Sequence, residues 1–315
     1  MNTTDFLWDG RFDGHEDAHK RFFQIVNQQP HADFTLLGFA SDEGVRRNKG
    51  RLGAVNGPNH IRQQLASLPV HRPFSLNDGG DTVCQNEDLE PAQKALAANI
   101  TEALTKKSRP IVLGGGHEVA FGSFQGAFNY LLAAQAADPN NTPFNLGIIN
   151  FDAHFDLREA DRVTSGTPFL NAHDLAKAHH QTFNYLCLGI AEHGNTRVLF
   201  DTADKLGVTY IEDRDLTAHK LEAALQKLQA FVDKMDYLYI TVDMDVFPAY
   251  LAPGVSAPAA KGLSLETFET LFTKILESKK VILLDIAECN PQFDIDNRTA
   301  KLAAYITYRY INSVL

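Results

Sequence analysis

Three observations along the 315-residue chain predict an α/β protein with a mainly parallel sheet. Short apolar runs rich in β-branched and aromatic residues recur, each is followed by a turn or polar cluster, and most are then followed by a stretch with apolar residues three and four apart. Strand alternating with helix in this way builds crossover units, which place helices on both faces of a sheet and give a three-layer α/β/α arrangement. In chain order, strands are expected at FTLLGFA (34–40), PIVLGG (110–115), LGIINFD (146–152), YLCLGI (185–190), VTYIED (208–213), YLYITVD (237–243) and VILLDIAE (281–288). Helices are expected near 91–107, 118–137, 195–206, 217–234, 264–279 and 298–313, with Thr217 and Ser264 offering hydroxyl N-caps. No repeat, low-complexity tract or Gly/Ser linker interrupts the pattern, so residues 1–315 read as a single domain.

Composition narrows the function classes. A formal charge of −10 argues against a nucleic-acid partner, which needs a basic patch, and against an anionic membrane surface. The start, MNTTDFLWDGRFDG, carries no secretory pattern, and no run reaches the roughly 18 apolar residues of a membrane span, so the expected location is cytoplasmic. Cys84, Cys187 and Cys289 form neither an even framework nor a CxxC pair, which disfavours disulfides and zinc-thiolate sites.

In open α/β sheets ligands bind outside the carboxyl ends of the strands, and four such ends here carry unusual polar sequence. GGGHE brings His117 and Glu118, NFDAHFDLR brings Asp152, His154 and Asp156, TVDMD brings Asp243 and Asp245, and DIAECNP brings Glu288. Taken singly, His117 also reads as a hydrogen-bonded structural histidine, GGGH as an anion-binding turn, and VDMD as a solvated strand end. The i, i+2, i+4 spacing of Asp152, His154 and Asp156 is harder to reconcile with a bland role, because it aims all three side chains the same way. Together, four carboxylates in one crevice repel strongly and require protons or counter-cations. Two divalent ions balance the charge, and the oxygen-rich donor set with two histidines and no thiolate suits manganese or another fairly hard dication. Such a pair, about 3.5–4 Å apart, can hold a hydroxide formed near neutral pH, which is the chemistry of a binuclear hydrolase.

These segments, in this order, resemble the signatures of the ureohydrolases, the arginase and agmatinase family, and the likeness extends over most of the chain. The resemblance implies an arginase-like parallel fold of about eight strands and two Mn2+ per chain, held by His117, Asp152, His154, Asp156, Asp243 and Asp245. It further implies that Glu288 hydrogen-bonds a cationic substrate nitrogen, and that assembly into a homo-oligomer is common. WDGRFD (8–13), SDEGVRRNKGRLGAVNGP (41–58), SGTPF (165–169) and AEHGNT (191–196) are most similar to the members that hydrolyse N-formimidoyl-L-glutamate to L-glutamate and formamide. In one departure, Phe169 stands where arginases place a proton-shuttling histidine, so the leaving-group acid is unassigned.

That substrate is a small amidine bearing two carboxylates, so its pocket needs guanidinium or backbone donors opposite an anion. Arg158 is the expected carboxylate partner, with Arg46, Arg47 and Arg51 divided between substrate binding and structural salt bridges. Ser165 and Thr167 are read either as carboxylate donors or as loop-shaping residues, and His193 and Asn195 as substrate contacts on a loop at the carboxyl edge. His173, His179 and His180 are expected to be exposed on a helical segment, and Trp8 to serve packing or an interface. Glu288 and Asp156 carry the expected catalytic roles, Asp156 taking a proton and passing it to the departing amine. Three alternatives stand beside this reading: a ureohydrolase acting on agmatine or guanidinobutyrate, a non-catalytic metal-binding member, and an iminohydrolase that releases ammonia.

Overall fold

The computed structural model describes residues 6–27 and 31–315; part of the N-terminal segment read for a signal pattern therefore lies outside the described residues. In chain order the elements are α1 (Phe22–Ile25), β1 (Phe34–Ala40), α2 (Glu43–Arg47), α3 (Gly57–Ala66), β2 (Leu76–Val83), α4 (Leu89–Thr105), β3 (Arg109–Leu113), α5 (Val119–Ala137), β4 (Leu146–Phe151), α6 (Pro168–Ala178) and β5 (Asn184–Ile190). They continue with α7 (Arg197–Lys205), β6 (Thr209–Glu212), α8 (Leu221–Val232), β7 (Tyr237–Asp243), α9 (Leu265–Glu277), β8 (Val281–Ala287) and α10 (Arg298–Val314). All eight strands join one sheet in the order β2-β1-β3-β8-β7-β4-β5-β6, and every pairing is parallel. The expected α/β/α class is therefore the observed one.

Alternation along each strand sends successive side chains to opposite faces, and each face has its own apolar core. Leu36, Ile149 and Ile240 pack with residues of α3, α8, α9 and α10. Leu37, Ile148 and Tyr239 pack with residues of α4, α5, α6 and α7. Each fully buried aliphatic or aromatic side chain in these layers contributes about 1.5–3 kcal/mol. Ser264 caps α9 as expected, its hydroxyl accepting from the Thr267 amide at 3.2 Å. Thr217 does not cap α8: that helix begins at Leu221, after Lys220, with no side-chain cap.

The sequence reading omitted β2, whose LNDGGDTV lacks an apolar run. It is an edge strand and needs one partner only, β1, to which it pairs through an irregularity between Leu36 and Gly38. A buried ion cluster holds it: the Arg62 guanidinium on α3, fully buried, reaches Asp78 at 2.9 Å and Asp81 at 2.6 Å. Gly38 is required beside it, because a Cβ there would stand 1.7 Å from Asp81 Oδ1. Trp8 adds its indole N–H to the second oxygen of Asp78 at 2.8 Å, so its role here is packing plus one hydrogen bond.

Removing Arg62 strands two carboxylates in a dry site. Arg62→Ala is expected to lower stability by about 3–5 kcal/mol, measured by urea unfolding of the full chain; a loss below about 1 kcal/mol would show that water hydrates Asp78 and Asp81 well enough to replace the guanidinium.

Candidate metal centre

β3, β8, β7 and β4 are consecutive in the sheet, so the four polar strand ends picked out in the sequence lie side by side. The GGGH turn after β3 is glycine-rich for a steric reason. A Cβ on Gly115 would stand 1.8 Å from the Ser41 carbonyl oxygen, because the end of β1 crosses the turn at contact distance. The Gly114 amide donates to Ile286 O at 2.7 Å, the Gly116 amide to Ser41 O at 2.9 Å, and the Gly115 carbonyl accepts from the Glu288 amide at 2.7 Å. The anion the turn holds is thus internal: the His117 amide donates to Glu288 Oε1 at 3.0 Å.

His117 Nδ1 lies 3.1 Å from Asp152 Oδ2, 2.9 Å from Asp156 Oδ2 and 3.1 Å from Asp243 Oδ2. His154 Nδ1 lies 3.1 Å from Asp245 Oδ2 and 3.5 Å from Asp152 Oδ1. Asp152 therefore presents one oxygen to each half of the cluster. Donor atoms of His117, Asp152 and Asp156 fall within 4.8 Å of one another, as do those of Asp152, His154 and Asp245. The six expected ligands are brought together.

Two observations test whether these residues fit metal ions. Around an ion with bonds of about 2.1 Å, neighbouring donors stand about 3 Å apart, which is the spacing around His117 Nδ1. That nitrogen is buried among three carboxylates yet makes no hydrogen bond of acceptable geometry, and Asp245 Oδ1 and Glu288 Oε2 are likewise buried without partners. Electrostatics agree. Burial opposes charge on His117, but the carboxylates of Asp152, Asp156 and Asp243 together hold its ring well above the ordinary imidazole range. Asp243 is pushed well above the usual carboxylate range by burial and by the neighbouring Asp245 and Asp152 charges. The cluster is one that retains protons until cations replace them.

Backbone conformation marks the same place. Asp156 (φ 50°) and Glu288 (φ 65°) adopt the left-handed region, which costs a non-glycine residue about 1–2 kcal/mol. Glu288 is also pushed up to about 8, by burial and by the nearby Glu118 carboxylate.

A cavity of about 220 Å³ opens onto the cluster, lined by His117, His154, Asp156, Asp243, Asp245 and Glu288 and, at its outer wall, by Asn48, Gly50, Arg158, Ser165, Asn195 and Ser256. Arg158 is exposed, and its guanidinium has no ion-pair or hydrogen-bond partner among the described residues. Ser165 also lines the cavity, its hydroxyl accepting from Asn48 Nδ2 at 3.1 Å. The other expected substrate contacts are placed differently. Thr167 is buried with its hydroxyl engaged by the Thr164 backbone and Asn171, and it is not part of the cavity wall. His193 is exposed in a short turn and also lies outside that wall. Asn195 touches the cavity, but its amide is spent on the ligand loop, donating to Ala153 O and Ala191 O and accepting from the Phe155 amide. Arg46 and Arg47 are paired with Glu43, Glu87 and Glu90, and Arg51 bonds the carbonyls of Ser256 and Val255. All three therefore resolve to structural roles. Phe169 is fully buried, stacked on Tyr185 and edge-on to the His117 ring at 5.5 Å. Asn48 and Ser256 were not picked out in the sequence, where nothing separates them from other polar loop residues.

A buried carboxylate and imidazole cluster at the carboxyl edge of a parallel sheet defines an α/β protein built around a two-ion centre. The chain belongs to the arginase family, whose model matches residues 32–312. It is 45% identical to formimidoylglutamase from Vibrio cholerae serotype O1 over 99% of this chain and 96% of that one. It is 43% identical to formimidoylglutamase from Chromobacterium violaceum over 96% of both chains. Among solved structures it is similar to Trypanosoma cruzi formiminoglutamase with Mn2+ (TM-score 0.77, 23% identity, 93% of this chain and 98% of that one). It is also similar to formimidoylglutamase from Bacillus subtilis (TM-score 0.79, 22% identity, 93% and 91%). At these identities the structural matches speak for the fold.

Because Asp152 supplies an oxygen to each half of the cluster, Asp152→Ala is expected to abolish binding of both manganese equivalents in elemental analysis of the dialysed protein. Retention of two equivalents would remove Asp152 from the centre.

Proposed function

We propose that this protein is a manganese-dependent hydrolase that cleaves N-formimidoyl-L-glutamate to L-glutamate and formamide. The observation that carries the reading is charge asymmetry within one cavity: an exposed guanidinium, Arg158, with no partner among the described residues, and a buried carboxyl group with a free oxygen, Glu288. The substrate has the complementary order, two carboxylates at one end and a cationic formimidoyl group at the other. The names of the relatives at 43–45% identity support the same substrate.

When bound, two manganese ions supply an acidified water as nucleophile and positive charge facing the transition state. The remaining work falls to the chain. Arg158 takes a substrate carboxylate, and the Ser165 hydroxyl beside it offers a second hydrogen bond. Glu288, fixed through Oε1 by the His117 amide and ionised as the cationic substrate comes against it, accepts the N–H of the protonated formimidoyl nitrogen with Oε2 and keeps the carbon electrophilic. Water adds to that carbon, the bond to the glutamate nitrogen breaks, and the nitrogen held by Glu288 leaves as the amide of formamide. Asp156, 12% exposed against 0% for Asp152, faces the cavity and carries the proton from the water to the departing amine. Phe169 has no proton to give, and the cavity-facing position of Asp156 supports its part in that transfer.

The unpaired Arg158 disfavours agmatine, whose cationic tail would meet a like charge. Arg158→Gln is expected to raise KM for formimidoyl-glutamate about 10–100-fold while leaving kcat within a few-fold, the cost of one charge-assisted pair. An unchanged KM would place the carboxylates elsewhere. Glu288→Gln should keep both metals and lose most turnover in a formamide assay with formimidoyl-glutamate, arginine and agmatine as substrates. Preferred release of urea, or of ammonia in place of formamide, would overturn the substrate or the bond assigned.

A further inference from the structure

Asn150 on β4, Thr241 on β7 and Asp285 on β8 lie beneath the metal cluster and take no part in the chemistry above. They are successive register partners across the sheet, Asn150↔Thr241 and Thr241↔Asp285, so their side chains leave one face in a row. All three are 0% exposed. A row of polar groups inside a parallel-sheet core is costly unless its members are engaged.

Asn150 and Thr241 both reach the same half of the cluster. Asn150 Nδ2 donates to Asp152 Oδ2 at 2.9 Å and to the Tyr185 hydroxyl at 2.9 Å. That Asp152 oxygen is the one beside His117 Nδ1; its other oxygen faces His154. Thr241 Oγ1 lies 3.0 Å from His117 Nε2, the ring nitrogen turned away from the carboxylates. Asp285 accepts the Tyr239 hydroxyl through Oδ2 at 2.5 Å, and its Oδ1 is buried with no hydrogen-bond partner. Thr241 is the register neighbour of this carboxylate on the same face of the sheet. Nothing equivalent stands behind His154: its side chain is 27% exposed, and its Nε2 has no hydrogen-bond partner among the described residues.

We propose that Asn150, Thr241 and Asp285 form a buried positioning row that selectively supports the ion on the His117 side of the centre. The inference rests on the manganese reading above. Asp285 Oδ1 is an open acceptor in the same row, so it draws the Thr241 hydroxyl proton toward itself and leaves the hydroxyl lone pair for His117 Nε2–H. That tautomer puts the Nδ1 lone pair among the carboxylates, where a cation takes it. The Asn150 amide fixes the Asp152 oxygen that shares the same ion.

The test is a manganese titration of the metal-stripped full-length protein, following free Mn2+ by electron paramagnetic resonance. Circular dichroism and thermal unfolding of each metal-free variant report folding. Wild type is expected to bind two equivalents. Thr241→Val and Asp285→Asn should each weaken one equivalent about 10–100-fold and leave the other within about threefold, while Thr241→Ser restores wild-type binding. The selective loss and its rescue by serine separate positioning from general destabilisation, and Asp285→Asn carries the test should the valine variant not fold. Unchanged affinity in folded Thr241→Val or Asp285→Asn overturns the proposal, as does equal weakening of both equivalents or failure of serine to rescue. A wild-type chain that binds no manganese overturns the metal reading and this inference with it.

Discussion

The constraint on which the structure turns is mutual repulsion among carboxylates in a place water hardly reaches. Asp152, Asp243 and Asp245 are each less than a tenth exposed, and Asp156 joins them at a single imidazole nitrogen. In a dry environment such a group of anions is unfavourable by many kcal/mol unless neutralised. Protons or cations must therefore complete the fold at this point. A parallel sheet suits the task because its central strands end together, offering several short loops at one edge. The arrangement β3-β8-β7-β4 uses that property fully, with each strand end delivering one or more charged groups to the same few ångströms.

Much of this was legible because strand and chemistry share a sequence signature. An apolar run that ends abruptly in acidic residues and histidine marks both a strand end and a ligand group, and the runs at 34–40 and 237–243 match β1 and β7 at both bounds. Legibility failed where the local pattern is ordinary. β2 is polar because an edge strand stabilised by Arg62 needs little apolar surface, α1 and α2 are too short to show a period, and the buried face of α3 includes Gly57, Pro58 and the charged Arg62 beside Ile61 and Leu65. Substrate-side residues are harder to read from sequence for a physical reason. A polar residue on a loop at the right edge can face the cavity or face its own backbone, and sequence does not tell which. Thr167 and Asn195 chose the backbone: one organises the entry to α6, the other ties the ligand loop to the turn after β5.

The arginines illustrate how a structure sorts residues that sequence treats alike. Arg46 and Arg47 share Glu43, whose carboxyl lies below the usual range because their guanidinium groups hydrogen-bond it against the cost of burial. This knot ties α2 to the start of α4 and to Val163, immediately before the segment that carries Ser165. Arg51 is turned inward to two carbonyls and lies over the Phe293 ring at 4.0 Å. With those three committed, Arg158 is the arginine of the cavity wall that has no ion-pair partner among the described residues. A guanidinium on a protein with net charge −10 does not lack for anions in general. Its isolation at this one wall is consistent with an anion that arrives from solution.

The two halves of the centre also differ in a way that assigns direction to the chemistry. His117 is enclosed by α5, the Phe169 ring and the polar row below it, and only 1% of its side chain is exposed, whereas His154 is 27% exposed and Asp156 12%. The open side of the cluster is that of His154 and Asp156, and the His117 side is its enclosed floor. The aromatic wall of Phe169 and Tyr185 excludes water from that floor and offers no competing proton donor or acceptor at the ring faces. Position 169 is part of this wall and does not line the cavity. Asp156 sits at the exposed end of the cluster, lines the cavity and holds a left-handed backbone conformation, a strained geometry of the kind that gathers at functional sites.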